Sequence, residues 1–191
     1  MDRKNRRENH KREIRRLIID ESIRLISNDG HEQFTIRKLA AAIDYSPRTI
    51  YIYFKNKADI LDEIAEFAFA ETLKQIPAEG IPADIVFFRK MLDRHLRNAV
   101  SRPNLYRAVI SRTSGNPDKM LQSEKQLLLN LSRLILKLRK EDSDPLLTAE
   151  LILAELRSAA VLLITKTENN DGPDIDEYIS AAIKLILEGM K

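Results

Sequence analysis

The residues whose types and spacing suit a chemical task crowd into one stretch, Phe34 to Leu61, which reads FTIRKLAAAIDYSPRTIYIYFKNKADIL. Thr35 and Ser46 each precede an apolar-periodic run and are natural helix N-caps, because a side-chain hydroxyl satisfies an amide that the first turn leaves without a partner. Cations follow at once: Arg37 and Lys38 after Thr35, Arg48 after Ser46. A helix start carries partial positive charge, so a cation there costs about 0.3–1 kcal/mol. The helix opening at Lys57 shows the choice that stability prefers, with Asn56 and Asp59 beside it. A bound anion turns the cost into attraction, since amides and side chains then converge on one negative group. The chemistry in view is recognition of phosphate by two successive helix tips. The competing reading is that these side chains simply extend into water.

Holding two such tips requires two short helices joined by a tight turn. Ile36, Leu39, Ala40 and Ile43 recur at helical spacing and predict a helix over 36–43. Ala40, Ala41 and Ala42 are small enough to let a neighbouring helix approach. Asp44 and Tyr45 form the turn, and Pro47 suits the first position of a second helix over 47–53. Ile50 and Phe54 can turn inward together, which leaves Pro47, Arg48, Thr49, Tyr51 and Tyr53 facing outward. Two short helices joined this way make a helix-turn-helix, whose second helix enters the major groove of DNA.

The rest of the chain is consistent with a basic head on a helical body. Residues 1–60 hold 14 Lys and Arg against 9 Asp and Glu, and the remainder holds 18 against 20. That asymmetry is the electrostatic footprint of a polyanion binder. The opening run of Arg3, Lys4, Arg6, Arg7, Lys11, Arg12, Arg15 and Arg16 is equally readable as a solvated tail. With no Cys, the 191-residue chain has no disulfides, thiolate metal sites or cysteine nucleophile. The longest aliphatic run, Ala159 to Ile164, is far short of the roughly 20 residues that span a bilayer. A cytoplasmic protein is expected.

The expected fold class is all-α, with about nine helices. All seven prolines fall between apolar-periodic runs or at the start of one, where proline is tolerated. Ser46-Pro47, Asn116-Pro117 and Asp144-Pro145 read as cap and first turn, and Asp174 with Glu177 reads as a capping box. Predicted helices run over 7–28, 36–43, 47–53, 57–75, 82–100, 103–113, 117–140, 145–166 and 175–190. The first stops at Asp29-Gly30, where a glycine suits a left-handed residue. The sharpest break in the pattern falls at residues 76–80.

The run from Ile18 to Leu61 resembles the N-terminal domain of the tetracycline-repressor (TetR) family of transcriptional regulators. The resemblance is carried by Ile18-Ile19-Asp20, Gly30, Phe34-Thr35-Ile36, Leu39-Ala40, Ser46, Thr49-Ile50-Tyr51, Tyr53-Phe54, Lys57 and Ile60-Leu61. It implies a DNA-binding head, 1–56, and an effector-binding and dimerisation body, 57–191, in a homodimeric repressor that leaves a pseudo-palindromic operator when a small-molecule effector binds the body. It also implies roles for single residues. Thr35 and Arg37 would touch the phosphate backbone, and Ser46, Pro47, Arg48 and Thr49 would lie in the major groove. Tyr51, Tyr53 and Lys57 would contact further phosphates. The sequence departs from the family at Asp44, in place of a turn glycine; at Tyr45, in place of a small aliphatic residue; and at Arg48, in place of a small residue. Arg48 thereby becomes a candidate guanine reader.

Beyond the head, Leu146 to Ile164 is apolar nearly all round, and the last helix carries a stripe from Ile175 to Met190. The helices near 145–166 and 175–190 are therefore the expected dimer interface, the alternative being that they complete the monomer's own core. His95, Tyr106, Leu128 and Leu131 are candidate effector contacts. Arg102, Tyr106, Arg107 and Arg112 form a basic-aromatic cluster that suits an anionic effector or a solvated surface. The fourth helix, with Ile60, Leu61, Ile64, Phe67 and Phe69, is the expected lever between body and head. His10, His31 and His95 lack metal-ligand spacing, and no acid–base set marks a catalytic site. No metal, cofactor or enzymatic activity is expected. The rival functions are a helical enzyme and a protein-interaction module that uses its helix-turn-helix for packing alone.

Overall fold

A computed structural model describes residues 3–76, 84–112, 120–139, 144–169 and 174–190. Among them there are nine helices and no strand: α1 (Arg3–Asp29), α2 (Ile36–Ala42), α3 (Pro47–Tyr53), α4 (Lys57–Leu73), α5 (Ile85–Ser101), α6 (Pro103–Ile110), α7 (Gln122–Leu138), α8 (Pro145–Glu168) and α9 (Ile175–Gly189). The all-α expectation holds. The chain forms two compact units, Met1–Ala65 with Asn104–Arg112, and Glu66–Pro103 with Thr113–Lys191.

In the first unit, α2 packs on α1 and α3. Its core is Ile18, Ile26, Phe34, Leu39, Ala40, Ile50, Phe54 and Ile60, each at most 2% exposed. Asn104 on α6 donates to the Ser27 carbonyl at 3.0 Å, and Arg112 donates to Asp62 on α4 at 2.5 Å. In the second unit, α8 packs against α5, α7 and α9. Ile152, Leu156, Ala160, Leu163 and Ile164 supply its buried side, with Phe88, Leu92 and Leu96 of α5 also in the core.

Helix ends follow local chemistry where the sequence supplies it. Pro47, Pro103 and Pro145 are each the first residue of a helix. The Ser46 hydroxyl accepts from the Thr49 amide at 3.1 Å, and the Asp144 carboxylate accepts from the Leu147 amide at 3.0 Å. Asp174 caps the Asp176 amide at 2.7 Å, one residue earlier than a capping box with Glu177 would have it. Gly30 ends α1 with φ +81° and donates to the Ile26 carbonyl, as the left-handed stop requires.

Three helix starts differ from expectation. The first helix begins at Arg3 rather than near residue 7, although no described side chain before Ile14 is buried. α5 begins at Ile85, not at 82, because Asp84 accepts from the Phe87 amide at 2.8 Å and so caps the helix there. α7 begins at Gln122, not at 117, since residues 120 and 121 are non-helical. The expected cap at Asn116-Pro117 lies outside the described residues, as do Pro77, Pro82 and Pro173.

Candidate nucleic-acid interface

Hydrogen bonds local to the chain set the two helix tips. The Thr35 hydroxyl accepts from the Lys38 amide at 3.2 Å, which fixes the start of α2. Ser46 does the same for α3, and its hydroxyl also shares a 2.9 Å hydrogen bond with that of Thr49. Between the helices, Asp44 adopts φ +57°, a conformation that L-residues other than Asn and Asp seldom take, and the Tyr45 amide donates to the Ala40 carbonyl at 2.9 Å. Asp44 thus does the work of a turn glycine. Tyr45 is 36% exposed, so its larger ring turns to the surface instead of displacing the packing beside the turn.

Burial sorts the side chains by role. Ile36, Leu39, Ala40, Ile50 and Phe54 face the core, as the spacing predicts. Thr35, Arg37, Lys38, Ser46, Pro47, Arg48 and Tyr51 are exposed, and Thr49 and Tyr53 are half-buried. Among the described residues, Arg37, Lys38 and Arg48 pair with no acidic side chain, so their charges stand uncommitted on one unit. Lys57 is differently placed: its ammonium donates to the His31 carbonyl at 2.5 Å and lies 5.8 Å from the centre of the Phe34 ring. That cation fastens the loop after α1 to the start of α4.

Two features of the head have little or no signature in the sequence. Arg15, one of the opening basic run, donates to the Tyr53 carbonyl at 2.9 Å, pairs with both carboxylate oxygens of Glu63, and stacks 4.2 Å over the Phe54 ring. Its guanidinium therefore clamps α1 to the end of α3 and to α4. A cation at the negative end of α3 is also favoured by the helix dipole. No local signal could have singled it out, since its partners lie 38 and 48 residues away. The second is Ile52, an apolar side chain 70% exposed on α3. Helical spacing from Ile50 and Phe54 places position 52 off the buried face, and that was the signal available.

The candidate effector residues divide between the units. His95, Leu128 and Leu131 lie in the second unit, and Tyr106 lies on α6 in the first. Leu128 and Leu131 are buried core residues. Burial of the His95 ring, with the Arg157 charge as a lesser cause, pushes its pKa from 6.5 down to about 4, so the imidazole is neutral at physiological pH. Arg157 on α8 donates to Glu124 on α7 at 3.1 Å, and Glu124 is fully buried. On the neighbouring residue of α7, Ser123 donates through both its amide and its hydroxyl to Glu66 of α4, at 2.9 and 2.8 Å. The second unit thus holds a polar cluster within an otherwise apolar helical core. Arg112 of the expected basic cluster is committed to Asp62.

Comparison with known proteins agrees with this geometry. Residues 18–64 match the sequence model of the bacterial regulatory proteins, tetR family. The fatty acid metabolism regulator protein of Bacillus subtilis is 43% identical over 44 residues, which is 23% of this chain and 23% of that protein. The matched stretches span about a third or less of the curated relatives' length. Among solved structures, a TetR-family transcriptional regulator from Pectobacterium atrosepticum superposes with a TM-score of 0.70 at 21% identity, covering 95% of this chain and 96% of that one. The transcriptional regulator FadR from Bacillus subtilis, solved in complex with stearoyl-CoA, gives 0.65 at 20% identity, covering 91% and 97%. Those structures share this chain's fold, and the sequence match falls on the helices that carry the two cationic tips. Residues 18–64 carry the sequence pattern of the tetR family of bacterial regulatory proteins, and the chain as a whole shares the fold of the two solved structures.

Proposed function

We propose that the protein is a sequence-specific DNA-binding transcriptional regulator, a repressor that leaves a pseudo-palindromic operator when a small-molecule effector binds. The observation that carries this reading is the pair of capped helix starts on which Arg37, Lys38 and Arg48 stand exposed and unpaired while Ile36, Leu39, Ile50 and Phe54 lock both helices beneath them. Thr35 and Arg37 meet the phosphate backbone. Ser46, Pro47, Arg48 and Thr49 enter the major groove, and Tyr51 and Tyr53 bring hydroxyls to phosphates. The contribution of Lys57 comes through its hold on His31 as well as through its charge. By role, residues 1–56 form the head and 57–191 the body.

The body's proposed tasks are dimerisation and effector binding. Leu146, Leu147, Leu151 and Leu162 on α8 and Ile175 and Leu185 on α9 are large apolar side chains at least 36% exposed, which supports an interface between two copies through these helices. His95, Tyr106, Leu128 and Leu131 remain the proposed effector contacts. The first effector class to try is a long-chain acyl-CoA, because a structure of similar fold was solved with stearoyl-CoA. No described helix is long and apolar enough to cross a membrane, which suits the proposed cytoplasmic setting.

The test begins with selection of genomic fragments by the purified protein, followed by fluorescence anisotropy on the selected duplex. Specific binding that weakens steeply with salt is expected, since each phosphate contact releases counterions. Arg48→Ala should cost about 1–3 kcal/mol on the selected operator and far less on random DNA. No preference for any duplex at low ionic strength would refute the reading. Turnover of a small molecule without DNA affinity would favour an enzyme instead. Stearoyl-CoA should lower operator affinity, and unchanged affinity at saturating ligand would remove the acyl-CoA assignment alone.

A further inference from the structure

At 70% exposure, Ile52 is the most exposed large apolar side chain among the described residues. It stands on α3, four residues after Arg48 and inside the candidate interface. Folding does not account for it. The inward place for an aliphatic residue is filled two positions earlier by Ile50, which is fully buried. Nor does helix propensity ask for isoleucine, since a β-branched side chain loses rotamer freedom in a helix and Ala, Arg or Gln would serve better. The result is a four-carbon apolar group held in water beside a guanidinium.

Residues four apart on a helix lie one above the other, so Arg48 and Ile52 present to the same surface. They are separated by about 6 Å along the axis, roughly two base steps of a duplex. The major-groove edges of base pairs offer hydrogen-bonding atoms, and thymine adds an apolar group, its C5-methyl. We propose that Ile52 is a specificity-determining residue that packs against a thymine C5-methyl, within about two base pairs of the base that Arg48 contacts. This rests on the DNA-binding reading and adds a preference that hydrogen bonding cannot supply. 5-Methylcytosine carries its methyl at the same ring position, so a cytosine at that step should be bound better when methylated.

The experiment uses the selected operator with deoxyuridine replacing one thymidine at a time, which removes the methyl and leaves the pairing edge intact. At one thymine in each half-site, uracil should weaken wild-type binding about fourfold in Kd, the equivalent of one buried methyl. Ile52→Ala should bind the thymine operator more weakly and be indifferent to uracil at that step, with an unchanged melting temperature because the side chain is exposed. Wild-type binding that tolerates uracil at every thymine would overturn the inference and leave DNA recognition standing. So would an Ile52→Ala protein that keeps the full uracil sensitivity. A wild type that binds no duplex overturns the underlying reading, and this proposal with it.

Discussion

Asp44 carries the turn between α2 and α3 with φ +57°, a conformation that costs most L-residues roughly 1–2 kcal/mol. Asp44→Gly should therefore leave stability unchanged or raise it by up to about 1 kcal/mol, the relief being offset in part by glycine's greater unfolded-state entropy. Asp44→Val should lower it by at least about 1 kcal/mol in urea unfolding. A stable Val variant would show that the turn can relax. His95 gives a second prediction. Its folded pKa of about 4 lies below the ordinary 6.5, so as pH falls the unfolded chain takes up its proton first. The stability from this group is whole above about pH 6.5 and is lost toward pH 4, by an amount on the order of 3 kcal/mol at most. His95→Gln should flatten that part of the acid limb in urea melts at pH 7.5 and 4.5, and an unchanged acid limb would exclude this origin. The turn was legible from one residue type in one place, because Asp among the non-glycines tolerates that conformation. The neutral histidine was not, since its environment comes from other helices.

Between elements, the start of α7 shows how a cap can come from elsewhere. Leu121 stands at the N-cap and makes no side-chain cap hydrogen bond, while Glu66 of α4 accepts from both the amide and the hydroxyl of Ser123. Glu66→Ala should destabilise the second unit by about 1 kcal/mol, the usual worth of a lost cap, and Glu66→Gln should recover most of it. Equal losses for both variants would show that charge rather than acceptance matters. The caps at Thr35, Ser46, Asp144 and Asp174 are legible in the sequence because each acts on an amide two or three residues away. Glu66 on Ser123, 57 residues apart, is not, and neither is Arg15 on Tyr53 and Glu63. Prolines taken as openings also put the starts of α5 and α7 too early, when Asp84 fixes the first and residues 120–121 remain outside the second. Periodicity finds the helices. Contacts made across long stretches of chain decide where several of them stop and what holds them.

At the scale of the molecule, the proposed dimer makes the remaining prediction. Leu185 on α9 is 68% exposed, so Leu185→Glu should spare the fold of the single chain. It should yield monomers in sedimentation velocity and lower operator affinity by about 100-fold or more, the usual scale of lost avidity. A dimer that survives Leu185→Glu and Leu151→Glu together would move the interface away from α8 and α9. Whole-molecule order was the least legible part of the sequence, and the short segment Asn104–Arg112 shows why. It belongs to the first unit, although the chain on both sides of it belongs to the second. Excising residues 1–65 would therefore not release an intact head, because the partners of Ser27 and Asp62 would stay behind on the other fragment. The polypeptide passes from one unit to the other three times, after Ala65, after Pro103 and after Arg112. A single proteolytic nick at any one of these crossings would therefore leave the two units covalently tied through the other two.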